Sequence, residues 1–318
     1  MHLLNQICPK MKSYYHSHGK FLLTGEYLVL RGALSLALPL KFGQDLEIEQ
    51  LETNNGQLFW KAWRPEGKWF SVTMNRNNLV NFSTNAPDKA LMLSQILQAV
   101  KSLNPNAFEG NDMKFTTRLD FDPDWGLGSS STLIANLARW ANVNPYELLK
   151  LTFGGSGYDI ACATAEQPIY YQLIDGKPQV ETIDFQPPFA EHLFFVYQGQ
   201  KQSSSKEIKA FLEKANPTDL QNDIEAVSKI SRALPKCESL DEFAMLLQCH
   251  ERIIARCIGQ EPVQKRFPDF EGVLKSLGAW GGDFILAATG WGENQVREYF
   301  KKYGLEVVFG YYPFAYSK

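Results

Sequence analysis

The sequence predicts an α+β fold in which helices pack against antiparallel or mixed sheets. From Asp112 to Asp122, apolar or threonine residues alternate with polar ones at a period of two, which is typical of a strand with one solvated face. The second half of the chain instead combines helical patterns with short apolar runs. A parallel sheet covered on both faces would be continuously apolar, so this alternation disfavours the doubly wound dinucleotide-binding class.

The elements before and after that strand follow from periodicity and turn residues. Extended runs between Phe21 and Met74, separated by turns at 54–56 and 65–67, predict an antiparallel meander. Helical spacing predicts a helix over 88–103, with its apolar face formed by Leu93, Ile96, Leu97 and Val100. Further helices are expected at 133–141, 145–151, 206–214, 220–234, 240–258 and 293–303, and further strands at 169–174, 180–185, 192–197, 284–288 and 306–311.

Length, charge and cysteine content limit the classes of function. A chain of 318 residues fits two domains, and Gln186-Pro187-Pro188 is the expected boundary, which gives domains 1–187 and 188–318. The net charge of -3 comes from 32 basic and 35 acidic residues spread along the chain, a pattern that favours neither a nucleic-acid nor a membrane partner. The 5 cysteines form no CxxC pair, and no long apolar segment occurs, so we expect a cytoplasmic protein.

A glycine and hydroxyl run, DWGLGSSST at 124–132, joins the alternating strand to the next helix. The first N–H groups of a helix lack intrahelical partners and carry the positive end of its dipole, so an anion binds well there. A Walker A loop is excluded because no Gly-Lys pair precedes Ser or Thr, and the GxGxxG pattern fails because Ser131 stands at the third glycine position. A simple helix cap would use one or two of the hydroxyls.

Three segments together resemble a known superfamily. They are HGKFLLTGEYLVL at 18–30, GLGSSS at 126–131 and GAWGGD at 278–283, with GSGYDIA at 155–161 between the last two. In this order they resemble the motifs of the GHMP kinases (galactokinase, homoserine kinase, mevalonate kinase and phosphomevalonate kinase). The resemblance implies a two-domain architecture, with an N-terminal domain like ribosomal protein S5 domain 2 and a ferredoxin-like C-terminal domain. It also implies ATP and Mg²⁺ as cofactors and a small-molecule alcohol as substrate.

The same resemblance implies roles for individual residues. Asp159 is implied to be the general base and Lys20 the cation beside it. Serine and glutamate ligands to Mg²⁺ are implied at Ser130 and Glu147. The loop implied to wrap the triphosphate is Gly126, Leu127, Gly128, Ser129, Ser130 and Ser131. The residues implied to line the substrate site are Glu26, Tyr27, Ser156, Gly281 and Gly282.

Several alternatives stay open at this level. Asp159 could instead cap a helix after Gly157, and Lys20 could be a solvated surface residue. Trp280 departs from the small glycine-rich pattern of the third motif, so its indole either lies outside the cleft or forms a wall of it. Cys249 and His250 fit core positions of a helix better than a metal site.

The substrate is the least determined feature. Mevalonate is the first choice and 5-phosphomevalonate the second, because Glu26-Tyr27 and Asp283 are more typical of phosphomevalonate kinases whereas the chain length is more typical of mevalonate kinases. A catalytically silent metabolite sensor on the same fold is the alternative from another class. The apolar helix faces fit either a homodimer or the protein core.

Overall fold

The computed structural model describes residues 12–200, 208, 211–213, 220–278, 280 and 282–315. Its strands are β1 (Lys12–Leu22), β2 (Ser35–Gln50), β3 (Gln57–Arg64), β4 (Gly67–Asn75), β5 (Asn81–Thr84), β6 (Met113–Leu119), β7 (Ile169–Ile174), β8 (Lys177–Thr182), β9 (Leu193–Tyr197), β10 (Val273–Leu277), β11 (Phe284–Ala288) and β12 (Val308–Gly310). Its α-helices are α1 (Pro87–Leu103), α2 (Ser129–Ala141), α3 (Pro145–Thr152), α4 (Tyr158–Thr164), α5 (Gln221–Ala233), α6 (Leu240–Ile258), α7 (Glu293–Lys301) and α8 (Tyr311–Phe314).

The chain divides into two compact units, each built from separate segments. The first unit contains Met1–Ser17, Gly43–Phe121 and Ser130–Gly154, and the second contains His18–Phe42, Asp122–Ser129 and Gly155–Lys318. Strands β1 and β2 and helix α2 therefore each contribute residues to both units. The domain boundary expected between residues 187 and 188 stays a prediction.

The sheet of the first unit corrects the expected meander. Strands β3, β4 and β5 are consecutive antiparallel neighbours, as a meander requires. However, β6 lies between β2 and β3, antiparallel to β2 and parallel to β3. Alternating hydrophobicity determines which face of a strand is buried, but not which strand lies beside it. The meander prediction was therefore wrong at the β2–β3 step.

The core of the first unit confirms the predicted strand and helix. In β6, Phe115 is fully buried and stacks on Trp60 of β3 with ring centroids 5.3 Å apart. On the other face of the strand, Arg118 is exposed. Helix α1 begins with Pro87 in its first turn and buries the predicted apolar face. A strand with one apolar face and an amphipathic helix thus form where the sequence places them.

The second unit contains a four-stranded antiparallel sheet in the order β10-β11-β9-β12. Strand β11, FILAA, is buried at every position, so both faces of this part of the sheet are covered. Helix α7 packs on one face through Val296 and Phe300, in a cluster that includes Val196 of β9 and Ile285 of β11. Strand β11 has the predicted bounds, whereas β12 is shorter than the predicted 306–311.

A hairpin in the second unit corrects another boundary. Strand β8 was predicted over 180–185, but it begins at Lys177, directly opposite Ile174 of β7. The loop between the two strands is Asp175-Gly176, and both residues have positive φ, 51° and 72°. A two-residue loop with this backbone matches the twist of the flanking strands and fixes their register. The tight turn therefore starts β8 earlier than its apolar pattern suggested.

The remaining predictions have mixed outcomes. Helix α6 has the predicted bounds, begins at the N-cap Ser239 and ends at Gly259 in the left-handed conformation. The sequence analysis did not predict β5, β10 or most of β1. The helix expected over 206–214 lies largely outside the described residues. Within the part of the chain that the structure describes, no helix is long and apolar enough to cross a membrane.

Candidate functional site

The glycine loop predicted to bind an anion lies between two helical turns. A short 3₁₀ turn, Pro123–Trp125, ends at Gly126 with a φ of 70°, and helix α2 begins at Ser129. Gly128 also has a positive φ, 97°, which side chains other than glycine rarely adopt. The loop therefore leads directly into a helix N-terminus, the backbone geometry that favours anion binding.

Lys20 of β1 holds this loop from the side. Its backbone N–H donates to the Leu127 carbonyl at 3.0 Å, and its Nζ donates to the Gly126 carbonyl at 2.9 Å. A Cβ on the neighbouring Gly19 would lie 3.1 Å from the Leu127 oxygen, so strand and loop are in close contact. The structure thus brings together two segments that are more than 100 residues apart in the sequence.

Asp159 lies in the first turn of helix α4, just after the left-handed Gly157. Its Oδ1 accepts a hydrogen bond from the backbone N–H of Ile160 at 3.0 Å. Burial raises the pKa of Asp159 above its ordinary value, while the positive charge of Lys20 opposes that shift. The carboxylate therefore satisfies part of the helix start and also has the electrostatic environment of a base beside a cation.

Tyr158, the residue before Asp159, also contacts Lys20. The Lys20 Nζ lies 5.6 Å from the centre of the Tyr158 ring, within the range of a cation–π interaction. Burial would lower the pKa of Lys20, but Tyr158, Asp283 and Asp159 together hold it above its usual range. Burial also raises the pKa of Tyr158 to about 12. Lys20 is therefore a fixed cation and not a solvated surface lysine.

A pocket of about 80 Å³ lies beside Lys20. It contains four of the residues assigned to the site from the sequence, namely Lys20, Glu26, Tyr27 and Ser156. The rest of its lining is mostly apolar and consists of Leu22, Val29, Leu30, Tyr158, Ile208 and Gly278. An apolar pocket with a few polar groups is the usual form of a small-molecule site.

The backbone at Tyr27 is strained where it lines this pocket. Tyr27 has φ 62° and ψ -48°, and the N–H of Leu28 donates across it to the Glu26 carbonyl at 2.6 Å. This is a γ-turn with positive φ, a rare and strained conformation. Such strain persists only where the surroundings fix the chain, so the neighbours of the turn must supply that constraint.

Buried charged groups from other elements hold the turn. Lys275 of β10 donates to the Glu26 carboxylate, and both side chains are almost completely buried. His250 of α6 accepts the backbone N–H of Gly25 at its Nε2, at 2.9 Å. That Nε2 also lies 3.4 Å from Glu26 Oε2. We call Glu26, His250 and Lys275 the buried charged cluster.

The electrostatics of this cluster follow from burial. Burial raises the pKa of Glu26 to about 7, although Lys275 acts in the opposite direction. Burial lowers the pKa of His250 well below its ordinary value, which fits an imidazole whose Nε2 is an acceptor. The ring is therefore neutral, with its proton on Nδ1.

A further buried carboxylate fixes β10. Glu251 accepts hydrogen bonds from the backbone N–H and the hydroxyl of Ser276, at 3.1 Å and 3.0 Å, and from the N–H of Val263 at 3.1 Å. Burial raises the pKa of Glu251 despite these donors. Because Ser276 follows Lys275, these contacts also position the lysine that pairs with Glu26.

Trp280 packs against Tyr27, one of the residues that line the pocket. It is only 2% exposed and belongs to an apolar cluster with Tyr27, Phe211 and Ile254. Its backbone N–H also points to the Tyr27 hydroxyl, at 3.4 Å. The indole is therefore buried behind Tyr27 and is not among the residues that line the pocket, which differs from the expectation that it forms a wall of the cleft.

Asp283 is the last residue of the third glycine motif, and its carboxylate packs against Gly126 and Gly278. It is 5% exposed, and its φ is 42°. A Cβ on Gly126 would lie 2.5 Å from its carboxylate carbon, and one on Gly278 would lie 2.6 Å from its Oδ2. Both glycines are therefore needed to make space for this carboxylate.

The other residues assigned from the sequence are located as follows. Ser130 is exposed and Ser131 is buried, both in the first turn of α2. Glu147 is exposed in the first turn of α3, and all three residues belong to the first unit. The Gly282 carbonyl accepts a hydrogen bond from Gln198, whereas Gly281 lies outside the described residues. Their roles stay predictions.

The sequence analysis missed the supporting residues of the site. Lys275 is a single charge within the strand VLKSL, and a lysine in an otherwise apolar strand is a signal of a buried ion pair. Of the two residues assigned to the core of this helix, His250 is buried as predicted, whereas Cys249 is exposed, so that part of the prediction was wrong. The contact of His250 with Gly25 links positions 225 residues apart. Tyr158 lay within a quoted motif and was given no role.

Comparison with solved structures identifies proteins of the same fold. Mevalonate kinase from Methanococcus jannaschii superposes with a TM-score of 0.67 at 16% identity, covering 94% of this chain and 97% of that chain. Mevalonate kinase from L. major, in complex with R-mevalonate, gives a TM-score of 0.69 at 16% identity, covering 96% and 97%. Phosphomevalonate kinase from Streptococcus pneumoniae, in complex with phosphomevalonate and AMPPNP, gives 0.68 at 16%, covering 94% and 99%.

These similarities confirm the predicted fold class. The chain has the two-domain α+β fold of the GHMP kinases, and the match spans nearly the whole length of each protein. By sequence alone, no family model matches the chain, and no curated protein matches it either. At these identities the likeness establishes architecture, and the chemistry must be argued from the residues themselves.

Proposed function

We propose that this protein is a GHMP-type kinase that transfers the γ-phosphoryl group of ATP to the hydroxyl of a small-molecule alcohol. One observation carries the proposal. Lys20 contacts the glycine loop at Gly126 through its Nζ and lies in the field of Asp159, at the edge of the pocket that contains Glu26 and Tyr27. Lys20 therefore contacts the proposed phosphate loop, acts on the proposed base and lines the proposed acceptor pocket.

The base has a defined task in this reaction. Asp159 takes the proton of the acceptor hydroxyl while the hydroxyl oxygen bonds to the γ-phosphorus, and the bond from that phosphorus to the β–γ bridging oxygen breaks. The products are the phosphate ester and ADP. Lys20 keeps the Asp159 carboxylate ionised, since its positive charge opposes the burial that raises the pKa of Asp159. Its contact with Gly126 also aligns the loop with the base.

The glycine loop fits a nucleotide phosphate. Gly126 and Gly128 have positive φ and no side chain, so an anion could approach the backbone closely at the start of α2. Serine hydroxyls and carboxylates supply the hard oxygen ligands that Mg²⁺ prefers, and Ser130 and Glu147 stay our candidates for it. When bound, Mg²⁺ neutralises charge on the phosphate oxygens.

We propose mevalonate as the acceptor. Its support is the fold shared with a mevalonate kinase whose structure contains R-mevalonate, together with a pocket of about 80 Å³, which suits a short acceptor. Phosphomevalonate, in which a phosphate and not a hydroxyl accepts the phosphoryl group, is the second candidate. It is favoured by the aspartate at position 283 and by the similarity to a phosphomevalonate kinase in complex with that compound.

A coupled ADP-release assay tests the proposal. The full chain is incubated with Mg-ATP and, separately, mevalonate, 5-phosphomevalonate, homoserine or galactose. We expect acceptor-dependent ADP release with mevalonate or, for the second candidate, with phosphomevalonate. Release with neither of these two, at protein concentrations that detect one turnover per hour, would contradict the assignment. Nucleotide binding without any turnover would instead favour a metabolite sensor.

A further inference from the structure

We propose that the Asp283 carboxylate binds the divalent cation that accompanies the nucleotide at the glycine loop. The inference rests on the proposed function, since it assumes that a nucleotide binds at Gly126–Ser129. It assigns a role to a residue of the third motif that is distinct from Ser130 and Glu147, the metal ligands expected from the sequence.

The carboxylate lies at the loop itself. Both of its oxygens are within 2.7 Å of the position that a Cβ on Gly126 would occupy, and its Oδ2 is within 2.6 Å of the corresponding position on Gly278. The lack of side chains at these two glycines therefore leaves a cradle that the Asp283 carboxylate fills. An acidic group at a helix N-terminal loop lies where the phosphates of a nucleotide would also lie.

The backbone holds the side chain in that position. Asp283 adopts a φ of 42°, a region that is unfavourable for residues with a side chain. Hydrogen bonds on both sides fix it, because its N–H donates to the Gln200 carbonyl at 2.9 Å and its carbonyl accepts from the Gln198 N–H at 2.8 Å. Local strain that is maintained by the surrounding structure is common at functional sites.

The negative charges of the Asp283 carboxylate and of a bound triphosphate favour a cation between them. Lys20 donates to the Gly126 carbonyl and the Asp283 carboxylate lies against the same glycine, so a lysine already lies on this side of the loop. Adding a triphosphate to these groups would bring several more negative charges close to Asp283. A divalent cation shared by the carboxylate and the phosphate oxygens turns this repulsion into attraction, and carboxylate oxygens are suitable ligands for Mg²⁺.

Two other roles of the Asp283 carboxylate would change nucleotide affinity or stability in different ways. If the carboxylate only occupied the phosphate position, its removal would strengthen nucleotide binding with and without Mg²⁺. If it only supported the fold, its removal would lower stability without changing the dependence of nucleotide affinity on Mg²⁺. A metal-binding carboxylate predicts a specific loss of that dependence.

Calorimetric titration of AMPPNP into the full chain, with Mg²⁺ or with EDTA, separates these roles. For Asp283→Asn we expect the gain in affinity from Mg²⁺ to fall by about tenfold or more, with metal-free affinity unchanged or higher. Asp124→Asn, which removes the same charge from an exposed position before Gly126, should keep the full gain. Equal gains in wild type and Asp283→Asn, or tighter binding in both conditions, would overturn the proposal.

A second measurement uses the unmodified protein and does not depend on the folding of a variant. Fe²⁺ replaces Mg²⁺ in the AMPPNP complex, and ascorbate with peroxide then cleaves the backbone near the metal. We expect cleavage near residue 283 as well as near 126–130, and cleavage confined to the latter would overturn the inference. Wild-type protein that binds no AMPPNP in either condition would instead reject the proposed function itself, and with it this inference.

Discussion

The two sides of the candidate site are built in different ways. The turn at Gly25–Tyr27, on the proposed acceptor side, is held by His250, Lys275 and Trp280, which are more than 200 residues away in the sequence. The loop at Gly126–Ser129, on the phosphate side, is shaped by positive-φ glycines and a helix start within a few residues. Long-range side-chain contacts therefore hold the turn at Gly25–Tyr27, whereas local backbone conformation shapes the loop, against which Lys20 and Asp283 pack.

This contrast predicts where substitutions cost most. Replacing a supporting side chain on the acceptor side leaves a buried charge or a cavity, both of which are expensive. Replacing a residue of the loop at Gly126–Ser129 changes a short segment whose conformation depends on its own backbone. The acceptor side should therefore lose more folding stability, and the phosphate side should lose nucleotide affinity more selectively.

Lys275→Met should have the largest effect on stability. It removes the partner of a nearly fully buried Glu26 and should lower the free energy of unfolding by about 3–5 kcal/mol. Chemical denaturation measures the change. The double variant Glu26→Gln with Lys275→Met is the control, since it removes both charges and should recover part of the loss. A double variant less stable than Lys275→Met would show that the ion pair is not the reason.

Trp280→Ala tests whether the packing behind Tyr27 matters for the proposed acceptor pocket. Loss of a buried indole should cost about 3 kcal/mol and should free the Tyr27 side chain, because Trp280 packs on it. We expect KM for the acceptor to rise by about tenfold while KM for ATP changes little. Trp291→Ala, in a different apolar cluster, is the matched control and should lower stability without affecting either KM. Equal changes in both KM values would contradict a specific acceptor role.

Gly126→Ala tests whether close packing matters in the phosphate loop. Gly154→Ala is the matched control, because its φ of 66° resembles the 70° of Gly126 while a Cβ there would meet nothing within 4 Å. Both should lose about 1 kcal/mol to backbone strain. Only Gly126→Ala should also weaken AMPPNP binding, by about tenfold, because its methyl group would meet the Asp283 carboxylate. Similar binding by both variants would count against the loop as the nucleotide site.

Lys20→Met tests whether Lys20 acts on the pKa of Asp159, and the pH dependence of kcat is the measurement. Asp159 must be ionised to act as a base, so activity should rise with pH through its pKa. Since Lys20 opposes the upward shift of that pKa, its loss should move the acidic limb of the kcat profile to higher pH. Lys41→Met, which removes an exposed lysine that bonds to the Tyr312 carbonyl, should leave the limb in place. If the acidic limb of the kcat profile stays at the same pH in Lys20→Met, then Lys20 does not act on the pKa of Asp159.

The same contrast explains what the sequence could predict. The glycine loop, Lys20 and Asp159 lie in short motifs whose geometry is local, and the structure brings them together as expected. Helix α6 was predicted with its correct bounds because its cap and apolar period are also local.

The missed features depend on the tertiary structure. The contacts of Lys275 with Glu26 and of His250 with Gly25 cannot be read from periodicity, which reports burial but not partners. For the same reason the sequence predicted extended strands in this region but not that β6 lies between β2 and β3. The strained γ-turn at Tyr27 likewise depends on neighbours that are distant in sequence.

One measurement tests the central claim most directly. The full chain and its Asp159→Asn variant are each incubated with Mg-ATP labelled with ³²P at the γ position and the acceptor that supports ADP release, and phosphorylated acceptor is quantified over time. We expect labelled phosphate ester from the wild type and a rate about 10³-fold lower from the variant, with AMPPNP affinity retained. An undiminished rate in the variant, or label released only as inorganic phosphate by the wild type, would contradict the account.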